Sequence, residues 1–250
     1  MCIYDNKLTG AAIGVGLTLL TSFAAAEQVT ELAEVDLELV LAADRSASMS
    51  RLMLVSQRNG FAAAFMNEAL HELVRSGPLG RIAVVYVEWS DETDQEIMVP
   101  WTKLESLEDF EQFAGAVSEV PIGRLNRETA IGAALLHSQD LLNTNAFNGR
   151  RKVIDISSNG RNSDGPPIRE VLRTLDFYGT TVNGLVLPEG YFLAEANDSL
   201  TDYFWREVVA GPGGFAITVV PRQGYDDAIL RKLLLEIASV SSFDTIELVR

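Results

Sequence analysis

Val35-Asp36-Leu37-Glu38-Leu39-Val40-Leu41-Ala42-Ala43 begins by alternating apolar and acidic residues and ends as an unbroken apolar run. That is the pattern of a strand running into a sheet covered on both faces. Downstream, the period of the apolar residues keeps switching. Residues 50–75 carry Leu52, Val55, Phe61, Phe65, Leu70 and Leu73 at near-helical spacing, and Gly77-Pro78-Leu79-Gly80 breaks the helix. Residues 81–89 read as a β-branched and aromatic strand. Residues 95–101 read as a shorter one, placed at or near a sheet edge by Pro100. Helices are expected over 106–118, 129–142, 200–209 and 225–238, and another opens at Pro166-Pro167, where a missing N–H costs nothing. Strands are expected over 152–157, 181–187 and 215–220. Strands alternating with helices predict an α/β domain, a doubly wound, mostly parallel sheet with helices on both faces. It occupies about residues 35–240, and 241–250 form a C-terminal tail.

In such a sheet, ligands bind at the carboxyl ends of the strands, where the strand order reverses. Asp44-Arg45-Ser46-Ala47-Ser48 stands there, after the first strand and before the first helix. Alternation along an extended loop turns residues 44, 46 and 48 the same way, which offers one carboxylate and two hydroxyls. Oxygen donors of this kind suit hard cations such as Mg²⁺. Helix capping by Ser46 or Ser48 explains the motif equally well.

The element order, with Asp-x-Ser-x-Ser after strand one, resembles the von Willebrand factor A domain. The stretches VDLELVLAAD, GRIAVVYVEWS, VPWTKL, RETAIGAALL, RRKVIDIS, NGLVLP and GPGGFAITV, in that order, resemble a bacterial, exported branch of that fold of unknown function. The resemblance implies a metal-ion-dependent adhesion site for Mg²⁺ or Mn²⁺. Asp44, Ser46 and Ser48 would form its first loop, and Thr129 would ligate from a second. The third loop normally carries an aspartate before a glycine; here the residue is Asn159, before Gly160. An amide oxygen accepts a bond from metal-bound water but brings no charge, so Asp44 would be the single carboxylate. Arg45, Arg127 and Arg161 fall in the same three loops and would raise the local potential. Asp164 would either substitute for the missing acid or cap the helix after Pro166. The site is then either a working divalent centre or a degenerate one. The three arginines are either a direct anion site or solvated charges paired with surface acids.

Composition narrows the function further. A formal net charge of -15 opposes nucleic-acid binding, which needs clustered Lys and Arg. Residues 1–26 read as a signal peptide: Lys7 in the n-region, an apolar run over 8–23, and Ala24-Ala25-Ala26 before Glu27. Cleavage would leave no stable membrane span and remove Cys2, the one cysteine, so disulfides and a cysteine nucleophile are excluded from the mature chain. His71 and His137 each fall inside an expected helix, in no catalytic or metal-binding spacing. Asp91 and Asp94 read as a polar turn, Trp89, Trp101 and Trp205 as core or edge packing, and Asn197-Asp198-Ser199 as a chance glycosylation match. The expectation is a periplasmic or secreted binding module, not an enzyme, whose protein ligand offers a carboxylate to the cation. The alternatives are a metal-free scaffold of the cell envelope and a metal-dependent hydrolase using Asp44 and bound water.

Overall fold

The opening apolar stretch folds as two strands, β1 (Ala33–Val35) and β2 (Glu38–Asp44), with a bend at Asp36. The Asp36 carboxylate causes the interruption. It accepts the N–H groups of Leu79 and Gly80 at 2.9 Å, tying the strand entrance to the Gly-Pro turn. The structure, a computed structural model, describes Met1 and residues 32–123, 128–188, 198–220 and 224–238. The expected leader beyond Met1, Arg127, Asn197 and the tail 241–250 lie outside the described residues.

The helix expected over 50–75 is two, α1 (Arg51–Phe65) and α2 (Glu68–Arg75), because the Asn67 side chain accepts from Ala69 N and restarts the helix. β3 (Ile82–Trp89) follows, and β4 (Gln95–Leu104) runs back along it as the antiparallel edge strand that Pro100 foretells. Ser106 and Asp109 form a capping box that opens α3 (Leu107–Ser118). Next come α4 (Ile131–Thr144), β5 (Phe147–Gly149), β6 (Lys152–Ser158), α5 (Ile168–Phe177) and β7 (Thr181–Val186). α6 (Asp198–Tyr203) continues into a π-helical stretch, Phe204–Val208, then β8 (Ala216–Thr218) and α7 (Gly224–Ile237) complete the order. Trp205, expected in the packing, is instead 49% exposed: the π-helical turn buries Phe204 and Val208 and leaves it outside.

The six-stranded sheet has the order β4-β3-β2-β6-β7-β8, and a separate parallel pair joins β1 to β5. All pairings in the main sheet are parallel except β3 with β4. The chain leaves β2 toward β3 and later returns to β6 on its other side, so the order reverses at β2. Its alternate residues feed two cores. Leu39, Leu41 and Ala43 pack with Phe61 and Phe65 of α1, Phe110 of α3 and Leu233 of α7, while Val40 and Ala42 pack with Ile131 of α4 and Leu175 of α5. Helices thus cover both faces, and the doubly wound sheet is as the apolar pattern predicts.

Helix α4 enters this arrangement under a tight crossing. A Cβ on Gly132 would lie 2.2 Å from Pro166 O, a backbone atom. Gly132→Ala is therefore expected to lose roughly 1–3 kcal/mol, read as a lower urea midpoint with an unchanged m-value. An unchanged midpoint would mean that the 162–167 loop moves aside freely.

Candidate functional site

Asp44 is the last residue of β2, and parallel pairing of Ala43 with Ser157 sets Ser158 of β6 beside it. Its carboxylate is fully buried. One oxygen accepts from Ser46 N at 2.6 Å, the other from Ser158 Oγ at 2.5 Å. Burial raises the Asp44 pKa above the usual carboxylate value, against the bonds from Ser158 and Ser46 that lower it. A positive charge placed here would remove that penalty. Gln57 of α1 fixes the two strand ends together: its Nε2 donates to Asp44 O at 3.4 Å, and its Oε1 accepts from Ser157 Oγ at 2.8 Å.

The side chains of 44, 46 and 48 do converge. Ser46 Oγ lies 3.0 Å from Ser48 Oγ, and Ser48 Oγ donates to Asn159 Oδ1 at 2.6 Å. Helix capping does not account for them, because Ser50 caps α1. Thr129 comes from the second loop and sits just before α4 rather than on it. Its N–H donates to Ser163 Oγ, its carbonyl accepts from Ser163 N, and the neighbouring Ala130 N–H donates to Ser90 O. Thr129 Oγ1 lies 3.4 Å from where a Cβ on Gly160 would stand, which places the second loop against the third. One carboxylate, two hydroxyls and one amide oxygen, from Asp44, Ser46, Ser48 and Asn159, are brought together at the point where the strand order reverses, with Thr129 of the second loop beside Gly160. All are hard oxygen donors, which fits Mg²⁺ or Mn²⁺ in kind, with Asp44 the single charge.

The arginines are placed differently from the expectation. Arg45 turns away and is buried against Asp94 at 2.6 Å and Glu96 at 3.0 Å, so its charge is compensated. Arg161 donates to Ser199 O and lies over the Tyr203 ring, 4.8 Å from its centre. The Arg45 guanidinium is thus taken up by acids, while that of Arg161 stays at the surface. Asp164 neither substitutes for the missing acid nor caps α5; its carboxylate accepts from Glu92 N at 2.9 Å, pinning the β3–β4 turn. In that turn Asp91 accepts from Thr93 and Asp94 from Ser90, as a polar turn would. His71 lies in α2 bonded to Phe65 O, and burial lowers the pKa of His137 in α4. Sequence reasoning missed Ser158 and Gln57. The signal was present in Ser157-Ser158 directly ahead of Asn159, two hydroxyls at a buried strand end.

Among the described residues no helix is long and apolar enough to cross a membrane. No curated protein is similar enough to the chain to count as a relative. Among solved structures, the pilus adhesin SpaC of Lactobacillus rhamnosus GG is 12% identical with a TM-score of 0.56, over 81% of this chain and 30% of that one. A von Willebrand factor type A structure from Catenulispora acidiphila is 14% identical with a TM-score of 0.55, over 80% and 42%. The von Willebrand factor domain of a type V pili tip protein from Porphyromonas gingivalis is 10% identical with a TM-score of 0.54, over 84% and 99%. None of these three is described as an enzyme. The chain thus spans well under half of the first two. The shared fold is that of the von Willebrand factor A domains among these structures. Over residues 34–241 the chain matches the family described as a protein of unknown function, DUF1194, and it belongs to that family.

Proposed function

We infer that the domain is an exported protein-binding module that engages its ligand through a hard cation held by Asp44, Ser46, Ser48, Thr129 and Asn159. The convergence of Asp44, Ser46, Ser48 and Asn159, with Thr129 beside Gly160, carries this reading. Bound there, Mg²⁺ or Mn²⁺ would supply a Lewis-acidic position for a carboxylate on the partner protein. The chain's own residues orient that position: Ser158 and the backbone of Ser46 hold Asp44, and Ser163 with Ser90 holds the Thr129 loop. The apolar run over 8–23 and the pilus proteins of similar fold support a periplasmic or secreted location. The domain is taken as residues 35–240, following a cleaved leader.

The test is thermal unfolding with and without cation. At a hundredfold excess over its dissociation constant a ligand stabilises by about 2.7 kcal/mol, so Mg²⁺ or Mn²⁺ should raise Tm by roughly 5–10 °C. Asp44→Ala should abolish the rise. A second reading is favoured by the closed hydrogen-bond chain Ser46–Ser48–Asn159, which satisfies these groups without any ion. In that case the domain is a metal-free scaffold, and millimolar cation leaves Tm unchanged. Against the hydrolase alternative, neither histidine lies in the three loops that form the cluster.

A further inference from the structure

Against the middle of the sheet, where Asp155 of β6 pairs with Leu41 of β2, α7 packs a lysine into the protein interior. Lys232 is 0% exposed, and the two carboxylates it meets, Asp155 of β6 and Glu236 one turn on, are 1% and 2% exposed. Lys232 Nζ lies 2.6 Å from Asp155 Oδ1 and is in hydrogen-bonding contact with Glu236 Oε1. Neither Asp155 oxygen takes part in a hydrogen bond of normal geometry, so the nitrogen approaches this carboxyl off the direction such a bond would take. The Phe215 ring lies 5.7 Å from Nζ, and Asn183 holds Glu236 by donating to Oε1 at 2.9 Å.

Three ionisable groups in so dry a place are costly. Burying a charge pair carries a desolvation penalty that its attraction often fails to offset, and here there are two acids for one base. Burial raises the Asp155 pKa. It also pushes Glu236 up to about 7, with the Asp155 charge adding to the effect. A proton is therefore held within the cluster near neutral pH, beside an amine and a carboxyl in contact.

We propose that Lys232 and Asp155 are joined by an intramolecular isopeptide bond that the folded protein forms by itself, with Glu236 carrying the protons. Nζ, freed of a proton by Glu236, attacks Asp155 Cγ. The N–C bond forms and one C–O bond breaks, so the departing oxygen leaves as water with two of the three ammonium protons. Glu236 accepts each of these from nitrogen and delivers it to oxygen, ending in its starting state. An ammonium and a carboxylate become one amide and one water, and no oxidant or co-reactant is needed. Fixed alignment of the reacting groups supplies an effective concentration on the order of 10⁵–10⁸ M, and the product has two fewer buried charges. The water leaves through the adjoining cavity of about 540 Å³, which Glu236 and Asn183 line. The bond clamps α7 to the middle of β6, the strand whose carboxyl end, three residues on, carries Ser158 next to Asn159.

Mass spectrometry of the purified full chain tests this. The wild-type protein should be lighter by one water than the sequence between its own observed termini, and proteolysis should release one branched peptide joining the segments around residues 155 and 232. Lys232→Arg should restore the full mass, Glu236→Gln should leave the chain largely unlinked, and Asp155→Asn should link with loss of ammonia in place of water. Wild-type protein of full sequence mass, yielding two separate peptides, would overturn the proposal and leave the triad an ion cluster. The wild-type measurement decides the matter even where a variant fails to fold.

Discussion

Arg58→Ala is expected to lower the stability of the domain by about 3–5 kcal/mol, the usual cost of stripping one partner from a buried ion pair. Arg58 of α1 meets Glu88 of β3 in a two-point contact, Nε to Oε1 at 2.6 Å and Nη2 to Oε2 at 2.8 Å, with side chains 3% and 0% exposed. Its third nitrogen donates to Val120 O at 2.7 Å, and Tyr86 Oη donates to Glu88 Oε1 at 3.0 Å. Burial opposes the charge on Arg58, but the Glu88 hydrogen bond and field outweigh it, and the net effect raises its pKa. Alanine would strand the Glu88 carboxylate beneath α1 and orphan the Val120 carbonyl. For a domain of this size the loss corresponds to roughly 6–20 °C in Tm. The pair also sits under the start of the segment that runs from Val120 toward Thr129, so the second site loop should loosen with it and weaken any cation response. A double variant, Arg58→Met with Glu88→Leu, should recover most of the loss, because apolar replacement of both partners removes the stranded charge. If Arg58→Ala unfolds within a degree or two of the parent, the pair does not hold α1 against β3.

What the sequence made readable, and what it hid, follows the range of the interactions. β2 and β3 are buried along their whole length, so their largely apolar runs announce a covered sheet, and the helical period marks α3, α5 and α7. Asp44, Ser46 and Ser48 are neighbours in the chain, so a local motif suffices to group them. β1 and β5 are three residues each, too short to show any period. The partners of Arg45 lie 49 and 51 residues away and that of Asp164 lies 72 away, distances over which no spacing rule operates. Lys232 and Glu236 stand one turn apart on α7, but Asp155 is far upstream on β6, so no local pattern joins the three.

Asn159→Asp should act in opposite directions with and without cation. Asn159 is buried, and its Oδ1 already accepts from Ser48 Oγ, so an aspartate keeps that bond and its shape. What it adds is a charge. The backbone of Asn159 bonds toward the Asp44 carboxylate, which places the new acid in the same desolvated site as one whose pKa burial has already raised. Two carboxyls there cannot both ionise cheaply, and the pair would take up a proton with a raised pKa. For an acid whose folded-state pKa is raised, stability is fully present below the unfolded value and lost as pH climbs through the folded one. The cation-free variant should therefore melt lower than the parent at pH 7 and regain stability as pH falls toward 5. Cation reverses the sign. A second carboxylate cancels more of the ion's charge, and Mn²⁺ affinity measured by calorimetry should tighten about 10–100-fold. Lower stability without Mn²⁺ and unchanged affinity with it would show that position 159 does not face the ion, and that the amide at this position is not what limits the site.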